Sequence, residues 1–115
     1  MPSQQVAGRS MLDGVFTATQ ATQGEQRYAA SCSVCHNVSE HTGPALRNKW
    51  AGRSLDDIFA LIATTMPDNN PGSLSADEYA SIVAFFLRQT GYSPGALALP
   101  ADRAVLQKLK IESVR

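Results

Sequence analysis

The chain has only two cysteines, Cys32 and Cys35, and His36 follows them directly. In a helical stretch, residues three apart project to one side, so both thiols face the same way and the imidazole lies within the same turn. Whatever engages this triplet must be enclosed by the rest of the fold. Four uses compete. A disulfide here closes a very small loop, constrains the unfolded chain little, and leaves His36 without a role. A redox dithiol needs C-x-x-C at the head of a helix in a strand-helix-strand unit, and no strand pattern precedes Cys32. Zinc needs four ligands, and the pool of Cys32, Cys35, His36 and His41 sits inside ten residues with no second pair at the usual separation. Two thiols adding across the vinyl groups of one haem, with the imidazole beneath the iron, use all three residues, and C-x-x-C-H is the attachment pattern of c-type haem.

A haem iron bound on one side by His36 takes a second axial ligand from the other. The candidates are Met1, Met11, Met66 and His41. His41 is too close to His36 to reach the opposite face easily, and Met1 and Met11 lie in a stretch without pattern. Met66 falls after a helical segment and before Pro67, where the backbone cannot pair regularly and is free to drape over a flat ligand. It is the expected ligand, the alternative being a methionine that fills a gap in the core.

The rest of the chain reads as helices. Residues 1–15 carry little pattern and are expected to be a flexible lead-in or linker. "TATQ" places Thr17 as N-cap with Gln20 three residues on, a capping box opening a helix through the C-x-x-C stretch. Gly24, Tyr28 and Cys32 fall on one face of it, and Gly24 costs about 1 kcal/mol in a helix relative to Ala, which points to another element packing closely there. A short helical turn is expected over 46–50. Ser54 caps a second helix with Asp57 in its first turn and a stripe of Leu55, Ile58, Phe59 and Ile62. "SADE" gives a third helix a capping box of Ser75 and Glu78, with Tyr79, Ile82, Val83 and Phe86 along one face and Gly91 as its stop. The piece over 103–111 is helical or extended. No strand alternation or repeat occurs, so the fold class is all-α.

"GEQRYAASCSVCHN", "TGPAL", "W", "AGRS" and "MPDNNPGSLSADEYASIVAFFL", in that order, resemble a bacterial class I cytochrome c over residues 16–92. More narrowly, the stretches around the motif and after Met66 resemble cytochrome domains fused to or paired with quinoprotein (PQQ) dehydrogenases. The resemblance implies a small helical bundle around one covalently bound haem, with residues 93–115 as a C-terminal extension packing on it. It implies a crossing of the first and last bundle helices, which Gly24 and Tyr28 match on one side and Ile82 and Phe85 on the other. The Pro44 carbonyl then accepts the Nδ1 proton of His36. The Trp50 indole bonds a haem propionate, or else simply packs in the core. Arg47 and Arg53 are candidates to balance propionate charge, and Asn69 or Asn70 to donate toward the Met66 sulfur. Only twenty-nine residues separate His36 from Met66, so the large loop that skirts the propionate edge in mitochondrial relatives is largely absent.

His/Met ligation fills both axial positions and favours ferrous iron, which fits an electron carrier better than an enzyme. A haem peroxidase or gas sensor with a labile Met66 is the alternative. The expected partners are a periplasmic donor such as a PQQ dehydrogenase and an acceptor such as a terminal oxidase, docking briefly on an apolar rim near Pro44, Ala45 and Pro67. Ten Lys plus Arg balance ten Asp plus Glu, so no basic excess points to nucleic acid. No apolar run approaches the roughly eighteen residues of a membrane span. Haem attachment of this kind takes place outside the bacterial cytoplasmic membrane, so the resemblance implies a periplasmic or exported location although no signal peptide is visible.

Overall fold

The computed structural model describes residues 14–31, 42–66 and 72–111. These form five helices, α1 (Ala18–Ser31), α2 (Pro44–Trp50), α3 (Leu55–Thr65), α4 (Ala76–Thr90) and α5 (Arg103–Leu106). Among the described residues there is no strand, only an isolated antiparallel bridge between Ser54 and Lys110.

Helix α4 is the axle. Its start is the expected capping box: the Ser75 hydroxyl accepts from the Glu78 N–H at 3.1 Å, and the Glu78 carboxylate accepts from the Ser75 N–H at 2.8 Å. These bonds from Ser75 hold the Glu78 carboxyl below its ordinary value. Its end is Gly91, whose φ of +112° is open to glycine at little cost and which donates back to Leu87 and Arg88. Every residue from position 79 to 87 is buried, as expected of a helix packed from several sides.

Helix α1 buries Gln20, Ala21, Gly24 and Tyr28, one face at helical spacing, against α4. The approach at Gly24 is so close that a Cβ there would lie 1.8 Å from the Ser81 carbonyl oxygen. One turn on, the Tyr28 ring packs against Phe85 and Phe86 with centroids 5.7 and 5.6 Å away. The glycine penalty in α1 is thus offset by the helix contact that only glycine permits.

The capping box expected at the start of α1 forms by half. Thr17 Oγ1 accepts from the Gln20 N–H at 3.0 Å, but the Gln20 side chain does not return to the cap. It turns inward, donating to the Leu99 carbonyl at 2.8 Å and accepting from the Leu99 N–H at 2.7 Å. Leu99 is buried outside any helix, so its backbone N–H and carbonyl need partners, and this amide supplies both. The lead-in expected over 1–15 also ends earlier. Val15 and Phe16 are fully buried, Gly14 lies against Gly95, and the Gly95 N–H donates to the Phe16 carbonyl at 2.7 Å.

The segment after α4 wraps the bundle. Leu99, Val105, Leu106, Leu109 and Ile111 join the same core as the α4 residues. Asp102 caps α5 through the Ala104 N–H. Arg103 grips Asp56 in the first turn of α3, Nε to Oδ1 at 2.9 Å and Nη2 to Oδ2 at 3.1 Å.

Candidate functional site

Cys32, Cys35, His36 and His41 lie outside the described residues, as do Met1, Met11, Pro67, Asn69 and Asn70. Helix α1, whose placement is fixed by the Gly24 crossing, runs to Ser31, immediately before the motif. On the far side of it the chain resumes at Thr42, and two hydrogen bonds fasten it to the end of α4, with a third inside α4 that orients the Thr90 hydroxyl. The Gly43 N–H donates to Thr90 Oγ1 at 3.0 Å, that hydroxyl donates to the Phe86 carbonyl at 2.7 Å, and Arg47 Nη1 donates to the Thr90 carbonyl at 3.2 Å. Both ends of the C-x-x-C-H stretch are therefore anchored on one helix, α4.

Pro44 is the first residue of α2, where a missing N–H removes no helical bond and its fixed φ suits the turn. Its carbonyl belongs to the first rungs of the helix, and a carbonyl oxygen keeps a second lone pair for another donor. Trp50 ends α2, buried on the core side. The Arg53 guanidinium lies 4.6 Å from its ring centroid and Lys49 Nζ 5.5 Å away, so this indole sits among positive charge. Arg53 also reaches Asp57 at 3.3 Å. Of the two arginines considered for haem carboxylates, Arg47 is committed to Thr90 while Arg53 stands beside Trp50.

Met66 caps the C-terminus of α3. Its N–H donates to the Ile62 carbonyl at 2.9 Å, and its own carbonyl accepts from the Tyr79 hydroxyl at 2.6 Å and from the Gly72 N–H at 3.3 Å. The Tyr79 ring is buried edge-on against Phe59, centroids 6.3 Å apart. The backbone carrying the thioether is thus tied on both sides, while the side chain stays half-buried. Tyr79 reads in sequence as a core position; that it is tyrosine rather than phenylalanine was the signal, since a buried hydroxyl needs a partner.

These residues fit a haem. A soft thioether is held on a fixed backbone. Near it in sequence, Ile62, Ala63 and Leu74 pack on the core yet remain only partly buried, and Leu61 is 41% exposed, apolar surface that a flat macrocycle could cover. Among the described residues no three His, Cys, Asp or Glu side chains gather into an alternative metal site.

The family described as Cytochrome C oxidase, cbb3-type, subunit III matches residues 19–86, a stretch that takes in α1, the C-x-x-C-H motif, Met66 and most of α4. Neither a curated protein nor a solved structure matches the chain. A match over more than half of the sequence, on described residues that are all-α and with the motif following directly in sequence on the first helix, places this chain in that family of class I c-type cytochrome domains, haem-c-binding carriers of electrons.

Proposed function

We propose that this chain passes single electrons between a donor such as a PQQ dehydrogenase and an acceptor such as a terminal oxidase, outside the cytoplasmic membrane. One haem c is held through Cys32 and Cys35, with His36 and Met66 as axial ligands. The group supplies a reversible one-electron iron couple. The protein's part is to hold its ligands still. Met66 is the observation that carries the reading: its main chain is bonded to Ile62 on one side and to Tyr79 and Gly72 on the other, so the sulfur has side-chain freedom only. Pro44 orients His36 by accepting its Nδ1 proton, and the Trp50 N–H bonds a haem carboxylate. No helix among the described residues is long and apolar enough to cross a membrane, and c-type cytochrome domains are typically exported.

Met66→Ala tests the ligand assignment. The variant is expected to lose the weak near-infrared sulfur-to-iron band, to have a lower midpoint potential and to bind cyanide. An unchanged band transfers the role to another thioether, Met11, whereas a parent protein that already lacks the band points to His41. Ready uptake of carbon monoxide by the unaltered protein would favour a sensor or peroxidase over a carrier.

A further inference from the structure

The family match ends at residue 86, yet the segment beyond α4 is bound most tightly where the proposed haem edge lies. Three backbone hydrogen bonds join it to the turn between α2 and α3. The Gly52 N–H donates to the Ile111 carbonyl at 3.1 Å, the Ile111 N–H to the Arg53 carbonyl at 2.9 Å, and the Leu55 N–H to the Leu109 carbonyl at 2.8 Å. The turn itself is tight: Gly52 has φ +76° and the Arg53 N–H closes back on the Trp50 carbonyl at 2.8 Å. One step below, Asp56, only 5% exposed, takes both prongs of Arg103 and, at 3.4 Å, the Gln107 amide. A buried carboxylate bound this way is costly to leave half-paired, so the contact acts as a latch. Leu106, Leu109 and Ile111, on the same segment, are buried in the core.

We propose that residues 103–111 are a positioning element for Trp50 and Arg53, and that the Asp56–Arg103 latch thereby sets the haem potential. The Arg53 main chain is fixed through its own N–H and carbonyl, and its guanidinium lies over the indole face while its Nε donates to Asp57 at 3.3 Å, an exposed pairing that offsets part of its charge. In a chain too short between His36 and Met66 to fold a long loop around the propionate edge, the tail does that holding from outside the family core. The inference rests on the reading that Trp50 faces a haem carboxylate. A cation held there favours ferrous iron, so releasing it lowers the potential.

The test uses the haem-loaded protein and a charge-neutral perturbation, Asp56→Asn with Arg103→Gln. The expected result is a lower midpoint, read as an oxidised-to-reduced ratio about threefold higher at fixed ambient potential, the effect of one displaced charge partly screened by solvent. The sulfur-to-iron band stays unchanged, and the Gly52 and Leu55 amides exchange faster. Arg53→Gln lowers the midpoint similarly, and adding it to the latch variant lowers it no further, since both act through one group. If Arg53→Gln shifts the midpoint while the latch variant only melts earlier, or if the two effects add, the latch is structural and the proposal falls. If neither Arg53→Gln nor Trp50→Phe shifts the midpoint, the placement of Trp50 at the haem edge fails, and the proposal with it.

Discussion

Gly24→Ala separates two physical terms of opposite sign. Helix propensity alone predicts that alanine stabilises α1 by about 1 kcal/mol. Packing predicts the reverse, because the added Cβ would lie 1.8 Å from the Ser81 carbonyl oxygen, 2.4 Å from its carbon and 2.9 Å from the Ile82 nitrogen. All three are main-chain atoms of α4 and cannot swing aside as a side-chain tip does. Restoring ordinary contact requires the helices to part by roughly 1.5 Å, and a gap of even 0.5–1 Å forfeits about a quarter to a half of each dispersion well it touches. The Tyr28, Phe85 and Phe86 cluster one turn away loses contact with it. Overpacking of this kind costs about 1–3 kcal/mol, occasionally more. With no soft neighbour to absorb it, the packing cost falls at the upper end, about 3 kcal/mol, and less the propensity gain of about 1 the expected net loss is about 2 kcal/mol, a large share of a small domain's roughly 5–15. Guanidinium unfolding of the haem-loaded protein, followed by far-ultraviolet circular dichroism, should show a lower midpoint concentration at unchanged slope. Adding Ser81→Ala gives no relief, because the clash is with the carbonyl. A variant as stable as the parent, or about 1 kcal/mol more so, would refute the close crossing.

Gln20→Leu leaves the buried N–H and carbonyl of Leu99 without their amide; it should cost about 2–3 kcal/mol and speed hydrogen exchange at Leu99, and unaltered exchange there would contradict the tether. Ser75→Ala removes one half of the α4 capping box and should cost about 1 kcal/mol in thermal or denaturant unfolding. The Arg103 guanidinium, bonded to Asp56, holds that carboxyl below the usual carboxylate range against the opposing effect of burial. A group depressed in the folded state contributes stability that is complete above its unfolded value, about 3.9, and is lost as pH falls through the lower folded value. Asp56→Asn should therefore flatten the acid limb of stability against pH below about 4, and an identical limb in the variant would remove Asp56 from that role.

Local signals were legible. Ser75 and Glu78, three apart, and Gly91 at a helix stop fixed α4 at both ends, and Ser54 before Asp57 fixed the start of α3, because caps depend on neighbours within one turn. Gly24 told of a close approach because a glycine amid good helix formers is unfavourable without one. The cofactor class was legible from Cys32, Cys35 and His36. What escaped depended on distant partners. Gln20 looked like a cap because its true acceptor lies 79 residues away. Asp56 drew no notice beside Asp57 in the first turn of α3, since its partners Arg103 and Gln107 lie 47 and 51 residues downstream. Val15 and Phe16 form an apolar pair too short for any period, and their burial depends on a distant segment that reaches them through the Gly95 N–H.

The wrapping segment has a consequence for the order in which the molecule assembles. Its ties to Gln20, to Phe16 and to the turn at 52–55 each span about half the chain or more, and such closures cost more chain entropy and form more slowly than contacts between near neighbours. The α1/α4 crossing is itself a long closure, Gly24 to Ser81, but it creates the surface on which the belt lies and is therefore expected to precede it. Folding should then proceed from that nucleus outward, with residues 95–111 closing last like a strap drawn round a finished bundle.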